Sequence, residues 1–267
     1  MLRKLALSLL FSLSPLLVSA TEPDCSLRMS AETDFPPHLI QQQQQWTGLS
    51  VELMQRLAKE LSCDLVFINS PWLRALQMSA QGELDVLSHL SVSSERKAQF
   101  AFIGPHHIES IYLVGDPSEI SAPASLQQLA EGVDLGSIAT LHGAYYGEEF
   151  SRLSQQPTFA RQLVSISSIQ DKLALLRAKR VNTILEDISV LQYWQQHNYP
   201  DAERYQPLLK VYESPVYFGF SKASLSEKQL KHIADTWQRL YQQGELNAIY
   251  QKYQIAADEK LVPAPLL

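Results

Sequence analysis

The sequence predicts an α/β fold of two lobes, each a mainly parallel sheet flanked by helices, with a hinge of two chain segments between them. Strands and helices alternate in a series that ends near Leu90 and again in a series that starts near Ala124. This alternation is typical of parallel sheets with crossover helices. A length of 267 residues also suits two lobes better than one core.

Two segments link the predicted lobes, near residues 111–116 and 210–215. We therefore expect lobe 1 in residues 21–115, lobe 2 in residues 116–212, and a return to lobe 1 with C-terminal helices in residues 213–267. Such a hinge places a cleft at the carboxyl ends of both sheets, where open α/β sheets bind ligands.

The first lobe begins with three predicted strands separated by two helices. The strands are at 27–33, 64–69 and 84–90, and the helices are at 49–61 and 71–81. Leu49, Leu53, Leu57 and Leu61 recur at every fourth residue, which places them on one face of the first helix.

The second lobe repeats the pattern. Its strands are predicted at 135–140, 162–166 and 181–185, and its helices at 168–179 and 188–196. A final helix opens with the capping box Ser-Glu-Lys-Gln at Ser226. Leu230, Ile233, Trp237 and Leu240 follow at helical spacing, so we interpret them as core.

The N-terminus is predicted to be a secretory signal peptide of residues 1–20. It has the basic start MLRK, an apolar run and the small-residue end VSA at Ala20. A membrane anchor is the alternative, but the apolar run is short for a span and contains Pro15. We therefore expect an exported protein.

Removal of this segment leaves an acidic chain. The segment contains Arg3 and Lys4 but no acidic residue. The remaining chain therefore has 22 − 2 = 20 basic and 28 acidic residues, a net charge of −8. An acidic surface disfavours nucleic acid and anionic lipid as partners.

Cys25 and Cys63 each directly precede a predicted strand. If these strands are parallel neighbours, their starting ends lie side by side, which predicts a disulfide in an exported chain. Two free thiols are the alternative.

Six segments carry a resemblance, in the order ETDFPP, TGLSVELMQRLAKEL, PWLRALQMSAQGELD, LSVSSERKAQFAF, IATLHGAYYGEEF and AKRVNTILED. Over residues 27–253 the chain resembles the family 3 solute-binding proteins, the periplasmic amino-acid-binding receptors of ABC importers. The resemblance implies a type II periplasmic-binding-protein fold and a periplasmic location.

The resemblance assigns Arg96 to a ligand carboxylate, since a guanidinium group matches a carboxylate at two points. Ser91 would add a hydroxyl or backbone donor, and Asp187 would accept the α-ammonium group of an amino acid. Each has a plainer alternative: Arg96 as a surface helix arginine, and Ser91 and Asp187 as helix caps.

Gly143, Ala144 and Tyr145 align with the family's Gly-Thr-Thr turn. The resemblance implies that they begin a helix whose backbone N–H groups face an anion. Ala144 and Tyr145 replace the two hydroxyl residues, so only backbone donation remains. A plain strand-to-helix turn is the alternative.

Phe35 and Trp72 are the implied aromatic walls for the ligand side chain, although both could be core residues. Glu32 aligns where some relatives contact a cationic side chain, so a basic ligand is one option. His89 stands where the family has a small residue, and its imidazole changes the pocket shape. Glu186 stands at a usually apolar position, and either points away from the pocket or adds negative charge to it.

The resemblance implies a non-catalytic function: binding of a small carboxylate-bearing solute, such as a polar amino acid, by lobe closure that an ABC permease recognises. We expect a monomer. A ligand sensor without a transporter is the first alternative. A cyclohexadienyl or arogenate dehydratase-like enzyme is the second, but Val190 stands where those enzymes carry a glutamate.

No cofactor or metal is expected. His38, His106, His107 and His142 show no metal-ligand spacing such as HxxH. Walker, nucleotide-binding glycine and GxSxG motifs are also absent from the sequence.

Overall fold

The computed structural model describes residues 25–32, 35–255 and 261–263. The predicted signal peptide lies outside these residues. The strands are β1 Ser26–Ala31, β2 Ile40–Gln42, β3 Gln45–Thr47, β4 Asp64–Asn69, β5 Val86–Ser91, β6 Phe100–Gly115, β7 Ile138–Leu141, β8 Leu163–Ile166, β9 Thr183–Asp187 and β10 Gln206–Ser221.

The helices alternate with these strands, as predicted. They are α1 Leu49–Glu60, α2 Trp72–Ala80, α3 Ser94–Gln99, α4 Leu126–Ala130, α5 Gly147–Leu153, α6 Pro157–Ala160, α7 Asp171–Arg177, α8 Ile188–Gln196, α9 Glu227–Gln242 and α10 Asn247–Lys252, with a 3₁₀ turn at Ala202–Arg204. The strands and helices for which the sequence predicts both ends differ from these elements by at most three residues at either end.

Eight strands form one sheet in the order β4-β1-β5-β10-β6-β9-β7-β8. We call the part with β1, β4 and β5 lobe 1 and the part with β7, β8 and β9 lobe 2. Strands pair in parallel within each lobe, which confirms the α/β class. The sheets of the lobes are continuous with each other through β6 and β10.

The connection between the lobes is a pair of antiparallel strands, β6 and β10, each 16 residues long. Lobe 1 pairs with the 216–220 end of β10, through β5. Lobe 2 pairs with the 111–115 end of β6, through β9. The two segments expected to link the lobes are therefore neighbouring parts of these strands, with Lys210 opposite Tyr112.

The predicted disulfide joins Cys25 to Cys63. Strands β1 and β4 are parallel neighbours that start in register, with Ser26 opposite Asp64. The two cysteines precede these residues, so their side chains meet at one edge of the sheet. This confirms the prediction and its reasoning.

Helix α9 packs its predicted face into the core of lobe 1. Ser226 forms the capping box with Gln229. Leu230, Trp237 and Leu240 are all buried, and the Trp237 ring meets that of Phe218 at 5.6 Å. Within the described ranges, no helix is both long enough and apolar enough to span a bilayer.

Candidate functional site

A cavity lies between the lobes, where β1, β5 and β9 end. Its empty volume, including the open mouth, is about 760 Å³. It is lined by all the predicted ligand-binding residues except Gly143, namely Glu32, Phe35, Trp72, His89, Ser91, Arg96, Ala144, Tyr145 and Asp187. The ends of parallel strands meet here, which is why residues far apart in sequence converge.

Arg96 lies in α3, and its guanidinium group bridges the lobes. Nη1 donates to the Ser91 carbonyl at 2.9 Å, and Nη2 donates to the Gly143 carbonyl at 3.0 Å. The guanidinium carbon lies 5.9 Å from the ring centroids of Trp72 and Tyr145. A guanidinium group carries five N–H donors, so donors beyond these two bonds remain for a ligand.

The predicted helix start at residues 143–145 is wrong, because α5 begins at Gly147. Gly143 has a φ of +78°, a left-handed conformation that favours glycine and turns the chain before the helix. Its carbonyl faces Arg96, and the Ala144 N–H donates to the carbonyl three residues earlier at 3.1 Å. The Ala144 N–H is therefore paired within the turn, and the turn meets Arg96 with a carbonyl.

Glu109, in β6, forms the part of the lobe 1 wall behind Ser91. It accepts the Ser91 hydroxyl and lies 3.3 Å from Nε2 of His89. Burial raises the pKa of Glu109 to about 7 and lowers the pKa of His89 to about 3. A neutral His89 can therefore donate to this carboxyl group. Ser91 is not a helix cap, since Ser93 caps α3.

Asp187 ends β9 and caps α8, as the plainer alternative predicted. It accepts the Ser189 N–H at 2.7 Å and the Ser110 N–H at 3.2 Å. It also lines the cavity. Burial raises the pKa of Asp187 to about 7, because a buried carboxylate loses its hydration.

Glu186 lines the cavity as well, so it does not point away from the pocket. Its carboxylate lies 3.1 Å from Nζ of Lys172, and both side chains are buried. Burial by itself lowers the pKa of Lys172, but the charge and hydrogen bond of Glu186, together with the nearby Tyr146 and Asp187, outweigh it and the pKa is raised. The two groups therefore form a buried ion pair in the lobe 2 wall.

Glu32 lies just beyond β1 and joins the lobes. One oxygen accepts the Trp72 N–H at 3.0 Å, and the other accepts the Ser168 hydroxyl at 2.9 Å and the Ile169 N–H at 3.0 Å. Trp72 belongs to lobe 1, whereas Ser168 and Ile169 belong to lobe 2. Both carboxylate oxygens of Glu32 thus already accept hydrogen bonds. A cationic ligand group would be attracted by the charge of Glu32 and would not find an unpaired oxygen there.

The aromatic side chains divide between wall and core. Phe35 is buried in the core, and its ring also lies edge-on to that of His89 at 5.0 Å. Trp72 and Tyr145 are partly exposed and flank Arg96. Phe35 therefore fills both roles considered for it, and Trp72 lines the cavity opening beside the arginine.

A group of histidines lies behind His89. His38, His106 and His107 are fully buried, and burial lowers the pKa of each well below its ordinary value. The His38 and His107 rings stack at 4.3 Å, and the His89 and His107 rings meet at 4.6 Å. No sequence pattern indicated this group, because its members come from three separate segments.

Glu109, Lys172 and Tyr146 also line the cavity but were not predicted. Glu109 lies in the middle of a strand that passes between the lobes, a position that strand periodicity does not mark as polar. Lys172 lies on the buried face of α7 beside Leu173 and Leu176, where helical spacing predicts an apolar residue. The signal that could have found them is an ionisable residue within an otherwise apolar stretch.

Comparison with known proteins agrees with this arrangement. A family model described as bacterial extracellular solute-binding proteins, family 3, matches residues 27–256. A putative ABC transporter arginine-binding protein 2 of Escherichia coli K12 is 24% identical over 188 residues, 68% of this chain and 70% of that protein. A probable histidine-binding protein of Neisseria gonorrhoeae is 20% identical over 237 residues, 88% of this chain and 85% of that protein.

A solved structure of similar fold is a histidine kinase sensor domain with similarity to periplasmic binding proteins. It has a TM-score of 0.72 and 20% identity, and the match covers 85% of this chain and 95% of that one. This likeness shows the fold alone. The predicted two-lobed type II architecture is thus confirmed.

Proposed function

The chain belongs to family 3 of the bacterial extracellular solute-binding proteins, and from this premise we propose that it binds an amino acid between its lobes. In this proposal the protein is a periplasmic monomer. Lobe closure on the ligand creates the form that an ABC permease recognises. The carrying observation is that one cavity holds both a guanidinium group, from Arg96, and buried carboxyl groups, from Glu109 and Asp187.

Arg96 supplies the carboxylate end of the proposed site. With the lobes together it is held between two aromatic rings and two backbone carbonyls, so its position is set when the lobes enclose a ligand. A preorganised guanidinium group binds a carboxylate by strong charge-assisted hydrogen bonds. The proposed ligand carboxylate therefore lies beside Trp72 and Tyr145.

The charges of the cavity favour a ligand with an extra positive charge. Lys172 and Glu186 neutralise each other at 3.1 Å. Arg96 then faces three carboxyl groups, those of Glu32, Glu109 and Asp187. A buried acidic surplus is costly unless a cation or a proton compensates it, and the raised pKa values of Glu109 and Asp187 reflect that cost. We therefore propose a basic amino acid, in keeping with the arginine- and histidine-binding names of the two curated relatives.

The test begins with a thermal-shift screen of the chain from Thr21 onward against the standard amino acids and small carboxylic acids. Calorimetry then compares the wild type with Arg96→Ala. Loss of the charge-assisted bonds, about 1.5–3 kcal/mol, should weaken binding at least about tenfold. Arg74→Ala, which removes an exposed arginine of α2, is the matched control and should bind normally.

Equal binding by Arg96→Ala and the wild type would show that Arg96 does not hold the ligand. The unfolding temperature without ligand establishes that each variant is folded. If the screen finds only acids without an amino group, the proposed class of ligand is wrong, while Arg96 can still be tested with those acids.

A transport-independent sensor is a second candidate, favoured by the likeness to the kinase sensor domain. Uptake of the labelled ligand by cells with and without the gene separates the two. Loss of uptake in the deletion strain supports import. Unchanged uptake by a strain whose protein binds the ligand supports sensing.

A further inference from the structure

Three histidines of lobe 1 meet behind the ligand cavity. His38 follows β1 in a turn, His89 lies in β5 and His107 lies in β6. Each offers a ring nitrogen, and these three nitrogens all lie within 4.8 Å of one another. His38 and His107 are buried, and the His89 side chain is only 14% exposed.

Each ring has one nitrogen with a partner. Nε2 of His38 lies 3.1 Å from the Ser189 hydroxyl, Nε2 of His89 lies 3.3 Å from Glu109, and Nδ1 of His107 lies 2.9 Å from Nδ1 of His106. A metal-binding histidine generally makes such a bond through its second nitrogen, which orients the ring.

The other nitrogen of each ring is buried and has no hydrogen-bond partner among the residues that the structure describes. These are Nδ1 of His38, Nδ1 of His89 and Nε2 of His107. A buried polar atom without a partner costs about 1–3 kcal/mol. The three ring centroids lie 4.3–5.2 Å apart, so three rings that each carry an unpartnered nitrogen share one small volume, and one ion could serve as their common partner.

We propose that His38, His89 and His107 bind one divalent transition-metal ion of the zinc, nickel and copper class. Imidazole nitrogen suits these ions, whereas magnesium and calcium prefer oxygen ligands. A Zn–N bond of about 2.0–2.1 Å sets nitrogens about 3.3 Å apart in a tetrahedral site. The rings must therefore approach by up to about 1.5 Å, a small movement for side chains.

Three protein ligands leave a coordination position open, as in catalytic zinc sites. His89 also lines the ligand cavity, whereas His38 and His107 do not. The proposed metal therefore lies next to the solute site without depending on it. The alternative is that the rings stack only to fill the core, as the His106 and Phe218 rings do at 4.3 Å.

The test uses the protein from Thr21 onward, purified without a histidine tag and treated with chelator. Titration with Co²⁺ should give one equivalent bound and the visible absorption of a tetrahedral nitrogen site. Competition with Zn²⁺ then gives the zinc affinity. If the wild-type protein does not bind one equivalent of metal, the rings serve only as packing and the proposal is overturned. This outcome needs no variant.

Variants locate the ion. Loss of a residue that hydrogen-bonds to a metal-binding histidine weakens metal binding about 10–100-fold. Loss of the histidine itself should cost more, so His107→Gln and His38→Gln should each weaken metal binding at least about 100-fold. His232→Gln, which removes an exposed histidine of α9, is the control. Unchanged Co²⁺ affinity in His107→Gln would place the ion elsewhere and refute the assignment.

Variants of buried histidines can also fail to fold, so the wild-type protein supplies a second measurement. The ring nitrogen resonances of His38, His89 and His107 should shift together on addition of one equivalent of Zn²⁺, while that of His232 stays unchanged. Shifts confined to exposed histidines would contradict the proposal. Amino-acid binding is measured separately, so a failure of this site does not affect the proposed solute function.

Discussion

Replacing Glu32 with alanine should weaken ligand binding by loosening the closed arrangement of the lobes. Glu32 accepts one hydrogen bond from Trp72 within lobe 1 and two from lobe 2, from the Ser168 hydroxyl and the Ile169 N–H. Only the two bonds to lobe 2 are specific to the closed form. Their loss therefore changes the balance between open and closed protein.

The magnitude follows from the number of bonds between the lobes. A hydrogen bond contributes about 0.5–1.5 kcal/mol net, because an open form exchanges it for bonds to water. The two bonds from Ser168 and Ile169 therefore contribute about 1–3 kcal/mol to closure. Since about 1.4 kcal/mol is tenfold, the apparent affinity of Glu32→Ala should fall about 5- to 150-fold. Ser168→Ala removes one bond and should cost about 2- to 13-fold.

Calorimetry with the tightest-binding amino acid measures these affinities, and small-angle X-ray scattering measures closure through the radius of gyration. The double variant provides the sharpest control. Because the Ser168 hydroxyl donates to Glu32, Ser168→Ala should have little further effect in the Glu32→Ala background. Wild-type affinity in Glu32→Ala, or full additivity of the two changes, would refute the role of Glu32 between the lobes.

Two further predictions concern stability. Replacing Cys25 and Cys63 with serine opens a loop with a sequence separation of 38. This should lower the free energy of unfolding by about 4 kcal/mol on the chain-entropy model. Urea unfolding measures this loss, and a loss below about 1 kcal/mol would contradict that model. Asp85→Asn removes the buried partner of Arg28 and should cost about 1.5–3 kcal/mol at pH 7. Burial alone raises the pKa of Asp85, but the bonds from Arg28 outweigh it and lower the pKa, so this stability is present above the ordinary pKa of aspartate and is lost in acid. The difference between wild type and Asp85→Asn should therefore shrink toward pH 3, and a constant difference would show that the charge of Asp85 is not its cause.

Much of the fold could be predicted because its information is local. Leucines four residues apart marked α1, and the Ser226 capping box marked the start of α9. The disulfide needed only one inference beyond local structure, that the strands after Cys25 and Cys63 are parallel neighbours. Strand order in crossover folds is constrained enough to support that inference.

The turn at residues 143–145 shows where local reasoning fails. A glycine after a strand is compatible with a helix start or with a longer turn, and the left-handed Gly143 selects the turn. This choice reverses the chemistry, since a carbonyl faces Arg96 where N–H groups were expected. The backbone conformation of Gly143 decided between a helix start and a turn, and a glycine is compatible with both.

The sequence by itself determined the lobes, the order of strands and helices, the disulfide and a set of residues that meet at the cavity. Only the tertiary structure showed that Glu109 and Lys172 belong to that cavity and that Glu32 joins the lobes. It alone brought His38, His89 and His107 together. The physical reason is that periodicity records which face of an element is buried, whereas contacts between ionisable side chains depend on how separate elements pack.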